Sequence, residues 1–412
     1  RRRAGPASFA PLVLFAASLV SFFLALLAKE TALILPLIVV IYDYSTREGF
    51  RGLRVKRYIP YIVVGVLYLV LRGLALEGAP SRELYTVNPV MQVLNVFPVL
   101  ILYFLKLIWP VKLSPFYVYE LSYSFFEAKI YLSAVAIAVL AFILWKLRRA
   151  YPEVILYAAI IVVPLLPTFY LLFNDPGVDH FSLPSDRYLY LSSVGFAFLL
   201  SFIYMRLAER FDGRKIILWA LVVLIFLYSV GTFSRTFAWR NDKSLWESAV
   251  RDYPGNYYAH YALSGVYMED GRRDEALREA LLVKELRPVY PAVNHRLGLL
   301  YFSLGDEVLA EVEFREVLKT NPENRDAHYN LGVIYLGQRQ WKRAALELEA
   351  SLKNAGDDHW KVRIINSLAI ALAGGGEIDK GILHLNEALK LEPKNKETLE
   401  SIRFLNTLQG EQ

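Results

Sequence analysis

The chain has 412 residues, of which 55% are hydrophobic and 14% aromatic, and its mean hydropathy is +0.32. This composition is too apolar for a soluble protein of this size and is typical of an integral membrane protein with one soluble part. The net charge of +6 does not indicate nucleic-acid binding, because the basic residues cluster in short loops between apolar segments. The absence of cysteine excludes disulfides, thiol catalysis and cysteine-based metal sites.

Apolar segments of membrane length follow one another as far as residue 236. The eight candidates are 9–28, 31–43, 58–76, 90–109, 130–147, 154–173, 188–207 and 216–235. Short loops rich in lysine and arginine separate some of them, and such loops usually face the cytoplasm. We therefore predict that three basic loops are cytoplasmic, namely 44–57, 146–153 and 206–215.

The number of membrane crossings between two cytoplasmic loops must be even. Three candidate segments lie between the first and second basic loops, so one of them should not span. We predict that this is 90–109, which is split by Pro98 and preceded by Asn88-Pro89, and that it is a re-entrant or interfacial element. The alternative is that one basic loop violates the charge rule.

This assignment gives about seven spanning helices and directs the last of them outward. The C-terminal domain is then predicted to be extracytoplasmic, in a protein of the cytoplasmic membrane. The outer loops are longer and chemically more varied than the basic ones, so we expect any chemistry at the outer face. These outer segments are the turn at Lys29-Glu30 and the loops 77–89, 110–129 and 174–187.

A helical pattern with a period of 34 residues begins after the last apolar segment. Leucines recur at this spacing at 263, 297 and 331, and prolines recur at 254, 288 and 322. Several positions agree at one period, which is typical of tetratricopeptide repeats. The predicted repeats are 255–288, 289–322, 323–356 and, displaced by three residues, 360–393.

The predicted fold class is all-α, a polytopic membrane helix bundle followed by a tetratricopeptide-repeat α-solenoid. The predicted domains are a membrane domain at 1–236, an interfacial linker helix at 237–254 and the repeat domain at 255–412. Each repeat buries its apolar face against its neighbours, and the stack forms a curved surface. That surface is either a spacer or a groove that binds a peptide or partner protein.

Lys29-Glu30 is the first candidate functional feature, because charges between two apolar runs are costly unless they are paired or hydrated. A self-neutralising pair at a helix turn would explain it without any function. A two-residue polar turn, however, can be built from glycine, asparagine or serine, which favours a functional role.

The loop 174–187 is the second feature, because it gathers acidic, basic and imidazole side chains just outside a membrane helix. Arg187 is suited to hold a phosphate with two hydrogen bonds. An aspartate or histidine there is suited to act as a base or as an acceptor or metal contact. The alternative is an ordinary interfacial aromatic belt with a capping aspartate. The candidates are Asp175, Asp179, His180, Asp186, Arg187 and Tyr188.

The metal hypothesis is the weaker one, because the spacing matches no defined ligand motif, so no cofactor or metal is assigned and a divalent metal stays an open alternative. The chain has no Walker loop, no Rossmann glycine fingerprint, no HExxH and no GxSxG motif. Nucleotide-driven transport and serine hydrolysis therefore have no support.

Four stretches carry a resemblance to a known family. They are LLAKETALILPLIVVIYDY around Lys29-Glu30, LSPFYVYELSYS at 113–124, SDRYLYLSSVGF at 185–196 and WRNDKSLWESAVRDYPGNYYAHYALSGVY at 239–267. Together with the repeats, the chain resembles the GT-C-type membrane glycosyltransferases with C-terminal tetratricopeptide repeats, the transmembrane O-mannosyltransferase-like family. Each stretch alone is weak, but the ordered set is fairly specific.

The resemblance implies a polyprenyl-phosphate sugar as donor and transfer at the outer face, commonly to a protein hydroxyl. It assigns the binding of the donor phosphate and the shaping of the site to Lys29, Glu30, Asp186 and Arg187. The essential acidic residue of such enzymes lies in the first outer loop, which is expected upstream of Arg1, so the catalytic residue is unknown. We accordingly expect that the sequence is truncated at its N-terminus.

The predicted partners are the lipid bilayer, a lipid-linked sugar, and an acceptor protein or peptide in the repeat groove, with no nucleic acid. The alternative function is a non-catalytic, membrane-anchored scaffold that recruits proteins during envelope assembly. A lipid-linked oligosaccharide polymerase or ligase is a further, minor alternative.

Overall fold

The structure is a computed structural model that describes residues 10–46, 53, 55–75, 89–115, 117, 122, 124–171, 186–211, 214–288 and 290–410. The described residues are helical or irregular and contain no strand, which confirms the all-α prediction. The chain divides into two compact units, Arg1–Arg240 and Asn241–Gln412.

Nine α-helices are described in the first unit, and short 3₁₀ turns join or precede several of them. The turns are Glu30–Ile34, Val55–Arg57, Val163–Leu165 and Asp186–Tyr188. The helices are α1 (Ala10–Ala28), α2 (Leu35–Thr46), α3 (Ile59–Ala75), α4 (Pro89–Ile108), α5 (Ala128–Leu147), α6 (Glu153–Val162), α7 (Leu166–Leu171), α8 (Leu189–Arg210) and α9 (Arg214–Ala238).

Four helical segments of the described chain are long and apolar enough to cross a membrane. They are Val55–Ala75, Ala128–Leu147, Asp186–Arg210 and Lys215–Ala238. Shorter apolar helices cover Leu12–Ala28, Val93–Ile108 and Glu153–Leu165. Most apolar side chains of the long segments point away from the rest of the unit, as expected of helices that face lipid.

The basic segments gather at one end of the first unit, which we call the basic end. There Arg206, near the end of α8, lies 3.7 Å from Glu153 at the start of α6, and its guanidinium stacks on Tyr151. The 3₁₀ turn Glu30–Ile34 contacts the turn Val163–Leu165 after α6, so α2 runs antiparallel to α6 and also ends at the basic end. The Tyr58 hydroxyl, just before α3, donates to Asp43 of α2 over 2.7 Å.

The opposite end, which we call the site end, carries the turn at residue 30, the C-terminus of α3 and the N-terminus of α8. Helix α8 runs antiparallel to α6, because Ser192 near its start bonds the carbonyl of Ile161 near the end of α6. The Tyr228 hydroxyl of α9 donates to the carbonyl of Ile108, over 2.7 Å, so α9 passes the C-terminus of α4. The chain therefore leaves the first unit at the site end.

Helix α4 continues through Pro98, and the expectation that this proline splits the segment is wrong. The helix buries Val99, Tyr103 and Leu107 against Leu165 and neighbouring side chains of α6–α8. This packing compensates for the backbone hydrogen bond that a proline inside a helix removes. The position of α4 relative to a membrane stays a prediction.

Helix α8 approaches α6 so closely that it needs a glycine at the crossing. A Cβ on Gly195 would lie 2.8 Å from the carbonyl oxygen of Tyr157 and 2.9 Å from the amide nitrogen of Ile161. Both atoms belong to the helix backbone, which cannot move aside cheaply. Gly195 thus sets the position of α8 and of the turn Asp186–Tyr188 that precedes it.

The second unit consists of helix pairs in series. The repeats form four antiparallel pairs between one preceding and one following helix. The helices are α10 (Asp242–Asp252), α11 (Tyr257–Glu269), α12 (Arg273–Leu286), α13 (Pro291–Ser303), α14 (Glu307–Thr320), α15 (Arg325–Gly337), α16 (Trp341–Lys353), α17 (Asp358–Gly374), α18 (Ile378–Leu391) and α19 (Lys396–Gly410).

Helix α10, in the segment predicted as an interfacial linker, packs within this unit. Trp246 lies edge-on against Tyr258 of α11, with 5.7 Å between ring centroids. Asn241 and Ser244 form a reciprocal capping box at its start. The helix therefore covers the first repeat, as terminal elements of repeat arrays do.

The predicted repeat positions form the core of the second unit. The leucines at 263, 297, 331 and 368 and the alanines at 276, 310 and 344 are buried. Three glycines, at 271, 305 and 376, occupy the turns within repeats one, two and four with positive φ angles, and Arg339 occupies the same turn of the third repeat with φ 58°. The turn geometry is therefore kept where the glycine is missing.

Candidate functional site

Glu30 forms an ion pair with Arg72 at the site end. The distance from Arg72 Nη1 to Glu30 Oε2 is 2.7 Å, and the same guanidinium nitrogen donates to the Tyr68 hydroxyl. The hydrogen bond from Arg72 holds the pKa of Glu30 below its usual value, so this carboxyl group is ionised at neutral pH. The pair connects the turn after α1 to the end of α3.

The partner of Glu30 was not expected from the sequence, which suggested neutralisation by Lys29. Lys29 instead ends α1 through its backbone, which bonds to the carbonyl of Ala25, and its side chain is exposed. Its ammonium group is accordingly presented to the surroundings at the site end.

Asp186 is held by an aromatic side chain from a distant part of the sequence. The buried Tyr117 hydroxyl donates to Asp186 Oδ1 over 2.9 Å and accepts from the backbone N–H of Ser114 over 2.8 Å. Lys106 and Arg235 lie near enough to attract the carboxylate electrostatically. Asp186 therefore sits in a cationic surrounding rather than at a simple helix cap.

Helix α4 fixes the segment that carries Tyr117. Lys106 Nζ donates to the carbonyls of Val111 and Lys112 over 2.9 and 3.0 Å. Nearer the start of α4, the amide of Asn95 forms two hydrogen bonds, of 2.9 and 3.0 Å, with the backbone of Ser122. These bonds fix Val111, Lys112 and Ser122 on α4, and Tyr117, which lies between them in the sequence, reaches Asp186.

Arg187 and Tyr188 lie in the same 3₁₀ turn as Asp186. The guanidinium of Arg187 stacks over the Tyr188 ring at 5.1 Å, and Nη2 donates to the Tyr188 hydroxyl over 3.3 Å. Arg187 is exposed and leaves most of its donors toward the outside of the unit. This geometry suits the binding of an external anion.

The 3₁₀ turn Val163–Leu165 lies near both predicted pairs, Lys29-Glu30 and Asp186-Arg187. It contacts both the turn Glu30–Ile34 and helix α8. The structure thus places the two predicted pairs, Lys29-Glu30 and Asp186-Arg187, at the same end of the first unit. No contact between the two pairs occurs in the part of the chain that the structure describes.

The predictions for Asp175, Asp179 and His180 lie outside the described residues. Among the residues that are described, no group of three or more histidines, aspartates or glutamates is placed to hold a metal ion.

Three of these partners were not predicted from the sequence, namely Arg72, Lys106 and Arg235. One signal was available, because each is an ionisable residue within a predicted apolar segment and such residues are usually paired or functional. Tyr117 carried no such signal, since the aromatic loop around it contains several tyrosines and only tertiary packing selects one.

The second unit has two cavities beside helices α17 and α19. One, of about 340 Å³, is lined by polar side chains that include Arg363, Asn366 and Glu397. The other, of about 470 Å³, is mainly apolar and is lined by Trp341 and Phe404 among others.

The family model described as tetratricopeptide repeat matches residues 295–359, which begin within α13, contain α14–α16 and end at the start of α17. The second unit is built from tetratricopeptide repeats. Its four helix pairs extend the pattern on both sides of the matched stretch.

Sequence relatives include membrane mannosyltransferases. Protein O-mannosyl-transferase TMTC4 of Homo sapiens is 29% identical over 118 residues, which are 29% of this chain and 15% of the relative. DnaJ homolog subfamily C member 3 of Rattus norvegicus is 29% identical over 174 residues, which are 39% of this chain and 34% of the relative. The similar stretches cover only a minor part of either relative and, for the mannosyltransferases, lie mostly in the tetratricopeptide repeats.

Solved tetratricopeptide-repeat structures are also similar to part of this chain. The MamA RS-1 ArsTM double mutant is 27% identical, with a TM-score of 0.35, over 37% of this chain and 85% of that one. The resemblance of the chain to O-mannosyltransferases with tetratricopeptide repeats, expected from the ordered stretches, is thus present in these comparisons.

Proposed function

We propose that this protein is a membrane glycosyltransferase. It transfers a sugar from a polyprenyl-phosphate donor to an acceptor, a protein hydroxyl, at the extracytoplasmic face of the cytoplasmic membrane. The observation that carries the proposal is the gathering of Lys29-Glu30 and Asp186-Arg187 at one end of the first unit, opposite the basic end. The similarity to protein O-mannosyl-transferases supports the same reaction class.

Two features support the outer location of the site. The basic loops that usually face the cytoplasm lie at the other end of the unit. Helix α9 runs from the basic end to the site end, so the tetratricopeptide repeats follow it on the outer side. Both features depend on the same charge rule.

The charge at the site end supports a phosphate-bearing donor. The cations Lys29, Arg72, Lys106 and Arg187 outnumber the carboxylates Glu30 and Asp186 among the side chains described above. Arg187 presents a planar set of donors that matches phosphate oxygens, and Lys29 presents a compact charge. Such cations stabilise the negative charge that develops on a departing lipid phosphate.

Asp186 and Glu30 hold positions in this proposal and are not assigned as the base. Asp186 ties the start of α8 to Tyr117, and Glu30 ties the turn after α1 to Arg72. Each bond fixes a neighbouring cation, Arg187 or Lys29, at the membrane boundary. The carboxylate that removes the proton of the acceptor hydroxyl is not among the residues that we assign.

Arg187→Ala tests the donor site, and Arg148→Ala is its matched control. Arg148 stacks on Trp145 at 5.5 Å, much as Arg187 stacks on Tyr188, but it lies at the basic end. We expect Arg187→Ala to reduce transfer from a polyprenyl-phosphate mannose donor by about a hundredfold, with loss of donor binding. The full-length natural protein in nanodiscs should fold equally well with either substitution.

Normal transfer by the triple variant Lys29→Ala, Glu30→Ala and Arg187→Ala would refute the proposed site. An equal loss of transfer in Arg148→Ala would show that the effect is not specific to the site end.

A membrane-anchored scaffold is the second candidate, and the match to a DnaJ subfamily member over 174 residues favours it. Under that hypothesis the tetratricopeptide-repeat unit acts by binding proteins and the site end has no catalytic role. Repeats tethered through an unrelated membrane helix would then restore function in cells that lack the protein. Under the glycosyltransferase proposal they would not.

A further inference from the structure

The second helix of each repeat turns one face away from the rest of its unit, and we call these faces together the outward face. The second helices are α12, α14, α16 and α18, and they run parallel to one another because each is antiparallel to the first helix of its repeat. Ala276, Ala310, Ala344 and Gly381 are buried at one equivalent position of the four helices. Residues two positions before, and two and five positions after, this buried position lie on the opposite side of the helix.

One position of the outward face carries an exposed apolar side chain in three successive repeats. The residues are Val312, Leu346 and Leu383, which are 47%, 66% and 60% exposed. They form a row across α14, α16 and α18, which Val308, one turn earlier on α14, extends at 71% exposure. The row ends at the first repeat, where Arg278 stands at this position. Apolar side chains that are contiguous rather than scattered singly indicate a contact surface.

Exposed charged side chains stand on both sides of this apolar row. One turn before the row are Lys342 on α16 and Asp379 on α18, and one turn after it are Arg315 on α14 and Glu349 on α16. On each side of the row, one cation and one anion therefore lie on neighbouring helices.

This pattern becomes its own complement when it is rotated by half a turn about Leu346. The rotation exchanges α14 with α18 and the two sides of the row. Lys342 then faces Glu349 of a second copy, and Arg315 faces Asp379. The positions along the helices agree within about 1.5 Å, because the four residues on one side of the row rise about 6 Å and the three on the other rise about 4.5 Å.

The same rotation also matches the apolar residues. It places Val312 on Leu383 of the second copy and Leu346 on its own equivalent. The axis falls at the middle of the row, so the three repeats that carry apolar residues face one another and Arg278 stays outside the contact. A surface that is complementary to itself under a half turn is what a two-fold dimer requires.

We infer that the outward face of repeats two to four binds a second copy of this chain in a two-fold dimer centred on Leu346. The contact is small, and two of its charged groups also bond within their own chain, Arg315 with Glu311 and Asp379 with Gln409. The dimer should therefore be reversible. The inference does not depend on the proposed transfer of sugar.

Single cysteines test the position of the axis, because the chain has no cysteine of its own. Leu346→Cys places a thiol on the axis, so oxidation of the full chain in liposomes should join two copies by a disulfide. Phe404→Cys is the matched control, since Phe404 is 62% exposed but lies on α19, outside the outward face. It should give little dimer under the same conditions.

A mixing experiment tests the antiparallel register. Copies with Val312→Cys should cross-link to copies with Leu383→Cys, because the rotation places these two positions together. Either variant alone should not cross-link, since its two thiols would be separated by two helix spacings, roughly 20 Å.

A charge exchange tests the polar contacts. Lys342→Glu and Glu349→Lys should each weaken the dimer about tenfold, because each change occurs twice in a two-fold contact. Both changes in one chain should restore it. Energy transfer between copies that carry different fluorophores, in liposomes of varied protein density, gives the affinity. Lys361→Glu, on α17 and outside the outward face, should leave the affinity unchanged.

Equal cross-linking of Leu346→Cys and Phe404→Cys overturns the inference, and so does a combined charge exchange that fails to restore the dimer. A dimer that keeps its full affinity in Leu346→Ser and in both single charge variants would arise from another surface and would equally overturn it. All these positions are exposed, so the variants should fold as the wild type does.

Discussion

The two units use apolar residues in opposite ways. In the tetratricopeptide-repeat unit, Leu297, Leu331 and Leu348 are removed from solvent by neighbouring helices of the same chain. In the first unit, apolar residues of α5 and α9 point outward, and the internal clusters are small. The repeats are therefore stabilised by internal burial, whereas the first unit buries few apolar side chains and leaves its long helices exposed, as is typical of helices that face lipid.

The largest effect that this comparison predicts is the loss of a core leucine in the repeats. Leu331→Ala should lower the free energy of opening of the surrounding helices by about 3 kcal/mol, because it leaves a cavity in a closed core. Hydrogen–deuterium exchange of α13–α16 in the full chain measures this. The exposed Leu383 serves as control, and a loss of similar size in Leu383→Ala would contradict the assignment of the core.

A close approach between helices should matter more than burial in the first unit. Gly195→Ala should destabilise it by about 1–3 kcal/mol, because the added Cβ meets the backbone of α6. Thermal unfolding in detergent gives the change. Gly231→Ala, where a Cβ meets nothing within 4 Å, should instead stabilise helix α9 slightly. Equal effects of both substitutions would show that α8 does not pack on α6 as described.

Protonation should distinguish repeats that have otherwise similar structures. In the first repeat His260 Nδ1 lies 2.5 Å from Glu279, and Nε2 lies 2.8 Å from the carbonyl of Pro254. Burial lowers the pKa of His260, but the two acceptors raise it by more than burial lowers it. The net pKa therefore lies above the ordinary value of 6.5. The stabilisation is then complete below pH 6.5 and is lost as the pH rises through the raised pKa.

Hydrogen–deuterium exchange rates of α11 and α12 between pH 5.5 and 8.5 measure the loss of this stabilisation. We expect it to be about 2 kcal/mol, as for a hydrogen bond to a charged group. His260→Asn reproduces Asn294, which stands at the equivalent position of the second repeat, and should flatten the profile. A profile that is as steep in His260→Asn as in wild type would exclude His260 as its origin.

The smallest effect concerns the one turn without glycine. Arg339 has a φ of 58°, where side chains other than glycine are disfavoured, so Arg339→Gly should stabilise the third repeat by about 0.5–1 kcal/mol. Exchange protection of α15 and α16 measures the gain. The reverse change in the second repeat, Gly305→Arg, should cost a similar amount, and a neutral result for both would contradict strain at this turn.

The repeats were predictable because each repeat packs its helices in the same way. The leucine, alanine and glycine residues that this packing needs therefore recur at a regular spacing in the sequence. The fourth repeat followed in spite of its three-residue displacement. The site end of the first unit was predictable only in part. Lys29, Glu30, Asp186 and Arg187 stood out as charges beside apolar segments, but their partners did not.

Those partners depend on helix directions that no local pattern encodes. Arg72 meets Glu30 because α1 and α3 run parallel, and Tyr117 meets Asp186 in a part of the chain where Asn95 and Lys106 of α4 bond the backbone of Ser122 and Val111.

One ion pair distinguishes the junction of the first two repeats from the next junction. Glu279 and Glu347 bond histidines of their own repeats, but Glu313, at the equivalent position, is bonded by Lys284 of the preceding repeat over 2.6 Å. The junction of the first two repeats therefore carries a charged strut that the next junction lacks at this position. The next junction is joined instead through Glu311 of α14, which accepts a hydrogen bond from Tyr335 and lies 3.6 Å from Arg343, so a force along the array would act on a different polar link at each junction.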